Sequence, residues 1–154
     1  MPGMKVKASE FFSREQQEQM LEAIKEAERS SSGEIRIHIE TSCSEDTLDR
    51  AAWIFSKLGM DKTAERNGVL FYLAVSEKKF AVIGDRGINS VVPPGFWDKI
   101  IRLLKVPFGE GKFTERLTEG IMLAGRQLKE HFPRQSDDIN ELPDSISFDS
   151  PEIV

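Results

Sequence analysis

Lys112 follows Gly109-Glu110-Gly111, the end of what a phosphate-cradling loop needs. Such a loop also requires Ser or Thr after the lysine and a glycine five residues before the second glycine. Phe113 and Val106 hold those places, so no nucleotide cofactor is expected. Cys43 runs into Ser-Glu-Asp-Thr-Leu-Asp, without the arginine that clamps phosphate in a cysteine phosphatase, and reads as a reduced thiol in a loop. No Gly-x-Ser-x-Gly elbow, Asp-x-Asp pair or dinucleotide fingerprint occurs. One cysteine and two histidines exclude the ordinary structural zinc sites.

What remains is a set of oxygen-bearing side chains that only connectivity can gather. Glu34 precedes the first strand pattern, Arg66 and Asn67 precede the second, and Asp85 follows the third. If the first two strands are parallel and the third runs back, all four reach one end of the sheet. The loop carrying Asp61 and Glu65 enters at the same end. Hard cations such as calcium or magnesium take several oxygens from carboxylates, amides and backbone carbonyls. Glu34, Asn67 and Asp85 are therefore the candidate metal ligands, and glycines 33, 68, 84 and 87 let backbone come close. Arg66 and Arg86 are the candidate anion-binding or charge-stabilising groups. The competing reading of the same residues is a plain turn at Asp85-Arg86-Gly87 and a surface pair between Glu34 and Arg66.

The elements that must position these residues follow from periodicity. Ser13-Arg-Glu-Gln16 has the capping-box pattern, and Met20, Ala23, Ile24 and Ala27 then share one helical face. Ile35, Ile37 and Ile39 alternate with Arg36, His38 and Glu40, a strand with one buried face that leaves His38 on the other. A second helix is expected over about 45–58, with Leu48, Ala51, Ala52, Phe55 and Leu58 inward and Gly59 as its stop. Gly68–Val75 is apolar throughout and suits a central strand covered on both faces. Ser76–Lys79 reads as a hairpin turn and Phe80–Ile83 as the return strand. Pro93-Pro94 opens a helix with Trp97, Ile100, Ile101 and Leu104 on its stripe. A last helix from Thr114 buries Leu117, Ile121, Ala124, Leu128 and Phe132, with Gly120 and Ala124 allowing close approach of another backbone. His131 falls in its last turn, where the helix dipole suits a cation, and the aromatics Phe108 and Phe113 pin the linker before it.

The resulting order, α-β-α-β-β-α-α, puts a right-handed crossover between the first two strands. The fold class is α/β, a three-layer α/β/α sandwich around a small mixed sheet. The chain has 154 residues, 39% hydrophobic and 31% charged, enough for one core and not two. Residues 1–12 read as an N-terminal arm, 13–133 as the domain and 134–154 as a disordered acidic tail, in which Ile146 and Phe148 could dock as a short edge strand. That tail carries six acids against Arg134, which accounts for the whole net charge of −5. A neutral body with an acidic tail offers no footprint for nucleic acid. No stretch is long and apolar enough for a membrane span or a signal-peptide core, and a cytoplasmic location is expected.

At these residues the chain resembles the TPM-domain family. The matching features are Ser-Gly-Glu34 before the alternating strand, Asn67-Gly68-Val69-Leu70, the hairpin Val75–Phe80, the exit Gly84-Asp-Arg-Gly87, and Phe108…Gly-Lys-Phe113. The resemblance covers about 13–132 and is closest to the small stand-alone bacterial members. It implies an α/β sandwich and divalent-metal binding, calcium among the candidates. Acid phosphatase activity is attributed to a plant thylakoid relative that takes part in photosystem II repair. Many relatives carry Gly-x-Gly-Leu-Glu at the strand exit; here Asn89 stands at the Glu place and Asp85 adds a carboxylate. Three functions are then open. One is a metal-binding or adaptor module without catalysis. Another is a metal-assisted phosphomonoesterase in which Arg66 or Arg86 stabilises developing charge. The third is a structural domain whose acidic tail engages a basic surface of an unknown protein partner.

Overall fold

A strand that is apolar at every position has to be covered on both faces, and Gly68–Ala74 is that strand. The computed structural model describes residues 7–29, 31–107, 111–134 and 146–149. Among them β1 (Glu34–Glu40), β2 (Gly68–Ala74), β3 (Lys79–Gly84) and β4 (Ile146–Phe148) form one mixed sheet in the order β3-β2-β1-β4. β1 lies parallel to β2, with Glu34 opposite Gly68 and Glu40 opposite Ala74. β3 returns antiparallel, with Val69 opposite Gly84. The three-layer α/β/α architecture and the expected strand directions hold.

The helices are α1 (Ala8–Phe11), α2 (Arg14–Glu28), α3 (Thr47–Lys57), α4 (Arg86–Asn89), α5 (Phe96–Leu103) and α6 (Gly111–His131). On one face of the sheet, Ile35, Ile37, Ile39, Val69, Phe71 and Leu73 meet apolar side chains of α1, α2, α5 and α6. On the other, Leu70, Tyr72 and Ala74 meet α3 through Ala51, Ile54 and Phe55. Each such aliphatic side chain, fully buried, stabilises the fold by about 1.5–3 kcal/mol.

Ser13 caps α2 as its sequence demands. Its Oγ accepts from the Gln16 amide at 3.0 Å, and Gln16 Oε1 accepts from the Ser13 amide at 2.9 Å. Met20, Ala23, Ile24 and Ala27 are its buried face. Other boundaries differ from expectation for identifiable reasons. Within the expected N-terminal arm, Ala8 and Phe12 are buried, and the Phe12 ring stacks on Phe113 at 6.1 Å. The inner stripe of α3 is Ala51, Ile54 and Phe55, rotated away from Leu48, which is 59% exposed, and from Ala52, also exposed. Gly95, at φ 78°, turns the chain after the two prolines, so α5 begins at Phe96. α6 starts at Gly111, before the expected Thr114, because Phe113 is already core; Phe108 lies outside the described residues.

The expected edge strand at Ile146 and Phe148 is β4, parallel to β1. The rest of the acidic tail, 135–145 and 150–154, lies outside the described residues.

A tight helix contact also sits beside its expected place. Gly120 faces the side chains of Ile100 and Phe71, whereas Gly125 faces Ala27 of α2. A Cβ at Gly125 would lie 2.6 Å from the Ala27 Cβ and 2.9 Å from its Cα. Gly125→Val is therefore expected to lower stability by roughly 1–3 kcal/mol, measured as a lower urea midpoint at unchanged slope. A variant as stable as the native chain contradicts this packing.

Candidate functional site

Connectivity brings Glu34, Asn67 and Asp85 to one rim. Glu34 lies opposite Gly68, whose carbonyl accepts the Asp85 amide at 2.9 Å, and Asn67 immediately precedes Gly68. Arg66 enters β2 in the left-handed region, at φ 52°, a conformation that costs a non-glycine residue on the order of 1 kcal/mol. Its guanidinium closes as a fork on Asp85, Nε to Oδ2 at 2.7 Å and Nη2 to Oδ1 at 3.1 Å. Asp85 Oδ1 also accepts the Arg86 amide at 2.8 Å and caps α4, while the Arg86 side chain is exposed. The Arg66 carbonyl accepts the Gly87 amide at 2.8 Å, an approach so tight that a Cβ on Gly87 would collide with the carbonyls of Glu65 and Arg66.

Beside this clamp, Glu65 Oε2 accepts from Ser32 Oγ at 2.6 Å, and Asn67 Nδ2 donates to Ser32 Oγ at 3.2 Å. Asn67 is buried, and its Oδ1 has no hydrogen-bond partner among the described residues; Asp61 Oδ1 is in the same condition. The hydrogen bond from Arg66 to Asp85 is the main reason the Arg66 pKa is raised, and Asp61 adds to it. Asn89 donates to the Gly84 carbonyl at 2.8 Å and accepts from Trp97 Nε1 at 2.7 Å. An ionised carboxylate can only accept, so the amide at this position has a structural reason.

For a divalent cation the donor set does not fit as it stands. Calcium takes six to eight oxygens; the rim offers the unpartnered oxygens of Asn67 and Asp61, while Arg66 already holds Asp85. Among the described residues, no group of three or more His, Cys, Asp or Glu side chains could hold a metal.

A second polar cluster, which patterning does not reveal, lies on the α3 face of the sheet. β1 is buried at all seven positions, so His38, expected on the less buried side, is 1% exposed. Glu40 receives Arg50 of α3 bidentately, at 2.9 and 2.6 Å, and the Tyr72 hydroxyl of β2. His38 Nε2 lies 3.6 Å from Glu40 Oε2, and its Nδ1 meets Ser147 Oγ of β4 at 2.7 Å. Cys43, a loop thiol as expected, is buried beside this cluster, its Sγ donating to the Glu45 carbonyl at 3.3 Å. The sequence signal for the cluster is Tyr72, a hydroxyl within an apolar run, which needs a buried acceptor. Burial pushes the Glu40 carboxyl up, but the hydrogen bonds from Arg50 and Tyr72, with the His38 ring close by, outweigh it and hold its pKa at about 2. Burial first, and then Glu40, push the Tyr72 hydroxyl far up, so it stays protonated.

Comparison with known proteins places this architecture. A family model described as the TPM domain matches residues 6–127. The solution structure of BA42 protein from the psychrophilic bacterium Bizionia argentinensis is 44% identical, with a TM-score of 0.80 over 92% of this chain and 98% of that one. The N-terminal domain of a protein from P. gingivalis has a TM-score of 0.62 over 81% of this chain and 83% of its own, and at 23% identity it speaks for the fold alone. No curated protein matches the chain. Among the described residues no helix is long and apolar enough to cross a membrane.

The Glu40 cluster makes stability depend on acid. Its carboxyl titrates at about 2 when folded against an ordinary 4.5. Its contribution, about 3 kcal/mol, is therefore complete above pH 4.5 and lost as pH falls from there through 2. Glu40→Gln is expected to flatten urea-unfolding stability across that window. At pH 7 it should lower stability by roughly 2–4 kcal/mol, because Arg50 loses its carboxylate. An unchanged pH profile in the variant contradicts the assignment.

Proposed function

Because this chain belongs to the TPM domain family, we propose that it works as a binding module without catalysis, with the rim of Arg66, Asn67 and Asp85 as part of its recognition surface. The observation that carries this reading is the engagement of Asp85. Both of its oxygens are held by Arg66 and one also by the Arg86 amide. Phosphomonoester hydrolysis at this rim needs a nucleophile, or an acid and base free to move a proton. Asp85 is instead the clamp between the start of β2 and the N-terminus of α4. The phosphatase reading therefore stands behind the binding reading.

Calcium or magnesium binding forms a second reading, favoured by the unpartnered oxygens of Asn67 and Asp61. A cation that also used Asp85 has to displace Arg66, so its affinity is set by competition with the ion pair. Glu34, which is buried, would contribute to such a site from the start of β1. The third reading, recruitment of a basic partner by the acidic tail, concerns residues mostly outside those described.

Two measurements separate these readings. With magnesium or calcium present, no saturable hydrolysis of p-nitrophenyl phosphate is expected; saturable turnover that disappears in a folded Asp85→Ala variant overturns the non-catalytic reading. A cation that binds only the native state raises its melting temperature. Calcium is expected to raise it more in Arg66→Met, where Asp85 is released, than in the native chain. Asp61→Asn is expected to diminish the gain in both. No calcium-dependent shift in either chain removes the cation reading.

A further inference from the structure

The two ring nitrogens of His38 meet very different neighbours. The ring is buried and stacks on Tyr72, with centroids 6.2 Å apart. Its Nδ1 lies 2.7 Å from Ser147 Oγ of β4. Its Nε2 has no hydrogen-bond partner among the described residues, and Glu40 Oε2 stands 3.6 Å from it. A neutral imidazole carries one proton, so one nitrogen donates and the other accepts. A lone pair on Nε2 is repelled by an ionised carboxylate, whereas an N–H there is attracted. Glu40 is ionised at neutral pH, held so by the Arg50 fork and the Tyr72 hydroxyl. The proton therefore sits on Nε2, and Nδ1 is left as an acceptor.

The Ser147 hydroxyl then donates to Nδ1, and its oxygen keeps a lone pair for a new bond. A base within hydrogen-bond reach of a hydroxyl, itself oriented by a carboxylate, is the arrangement that activates a nucleophilic serine. Either ring nitrogen can serve as the base, provided that the other holds the proton. Ser147 is half-buried while His38 and Glu40 are buried, so an incoming electrophile meets the serine before the base. The strand fixes the serine in place. Ile146 and Phe148 on either side of it pack against the larger core, and the Asp149 amide donates to the Ile39 carbonyl at 2.7 Å.

We propose that Ser147 is a nucleophilic, acyl-accepting serine, with His38 as its base and Glu40 as the residue that positions the base. The reagent class is a carboxylic ester or thioester with a good leaving group. Ser147 Oγ bonds to the acyl carbon, and the bond from that carbon to the leaving group breaks. The hydroxyl proton passes to His38 Nδ1 and from there to the leaving group, with no change of oxidation state. The product is one acyl group on the chain, a modification and not a turnover. This site is separate from the Arg66–Asp85 rim and does not depend on what the rim binds.

The test treats the full chain with p-nitrophenyl acetate near neutral pH and maps acetylation by peptide mass spectrometry. A synthetic peptide, DSISFDSP, equal to residues 144–151, gives the reactivity of the same serine without the histidine. A positioned base accelerates such a step by about a hundredfold or more. Ser147 is therefore expected to acetylate roughly a hundredfold faster in the protein than in the peptide, and His38→Gln is expected to bring it down to the peptide's rate. The imidazole nitrogen chemical shifts of the native chain report the tautomer and need no variant to fold. They are expected to show a protonated Nε2 and a bare Nδ1. Glu40→Gln is expected to mix the two tautomers, which a carboxylate with a merely structural role would not do. A protonated Nδ1 in the native chain, or Ser147 acetylating no faster than the peptide serine, overturns the proposal. So does a rate that a folded His38→Gln variant leaves unchanged.

Discussion

β1 carries Glu34, Arg36, His38 and Glu40 into the interior, and much of the structure answers that demand. Burying an ionised group is unfavourable unless it is paired and hydrogen-bonded. Arg50 comes from α3, Tyr72 from β2 and Ser147 from β4 to meet the far end of the strand. The apolar faces would tolerate some sliding of α3 over the sheet; a bidentate fork on a fixed carboxylate does not. The polar side of β1 thus sets the position of α3 on that face.

The rim illustrates the same economy of charge at a surface. Arg66 adopts a backbone conformation better suited to glycine, yet glycine has no guanidinium to close on Asp85. The carbonyl exposed by that turn takes the Gly87 amide. One residue therefore joins the start of β2 to the end of β3 through both its backbone and its side chain. The carboxylate that topology delivers to the rim arrives already neutralised, which separates being near a site from being free to act in it.

Much of this was legible in the residues and some was not. Ser13 and Gln16 specify a local motif that needs no tertiary context, and it is present. The right-handed crossover makes β1 and β2 parallel, and it alone brings Glu34, Asn67 and Asp85 together. His38 defeats the period-2 rule because that rule reports polarity, not exposure: a polar face is dry when an arginine, a tyrosine and a serine from distant segments cover it. The partner of Arg66 was left open between Glu34 and Asp85, since spacing places both at the same rim and only the left-handed turn aims the guanidinium. Leu48 and Ala52 fell outside the inner stripe of α3 because a short helix can rotate to let Arg50 reach Glu40.

The contact of Gly125 with Ala27 joins segments about a hundred residues apart in the chain, and Ser31 bridges to Pro133 beside it. Contacts between such remote segments form late, because a large loop must first be closed. During synthesis, α2 and the isoleucine face of β1 leave the ribosome long before α6 exists to cover them. The N-terminal half must therefore wait with its apolar surface open, and α6 acts as the closing piece of the whole core. Closure of this core during synthesis thus waits for α6, and the interval before it is when a chaperone has something to hold.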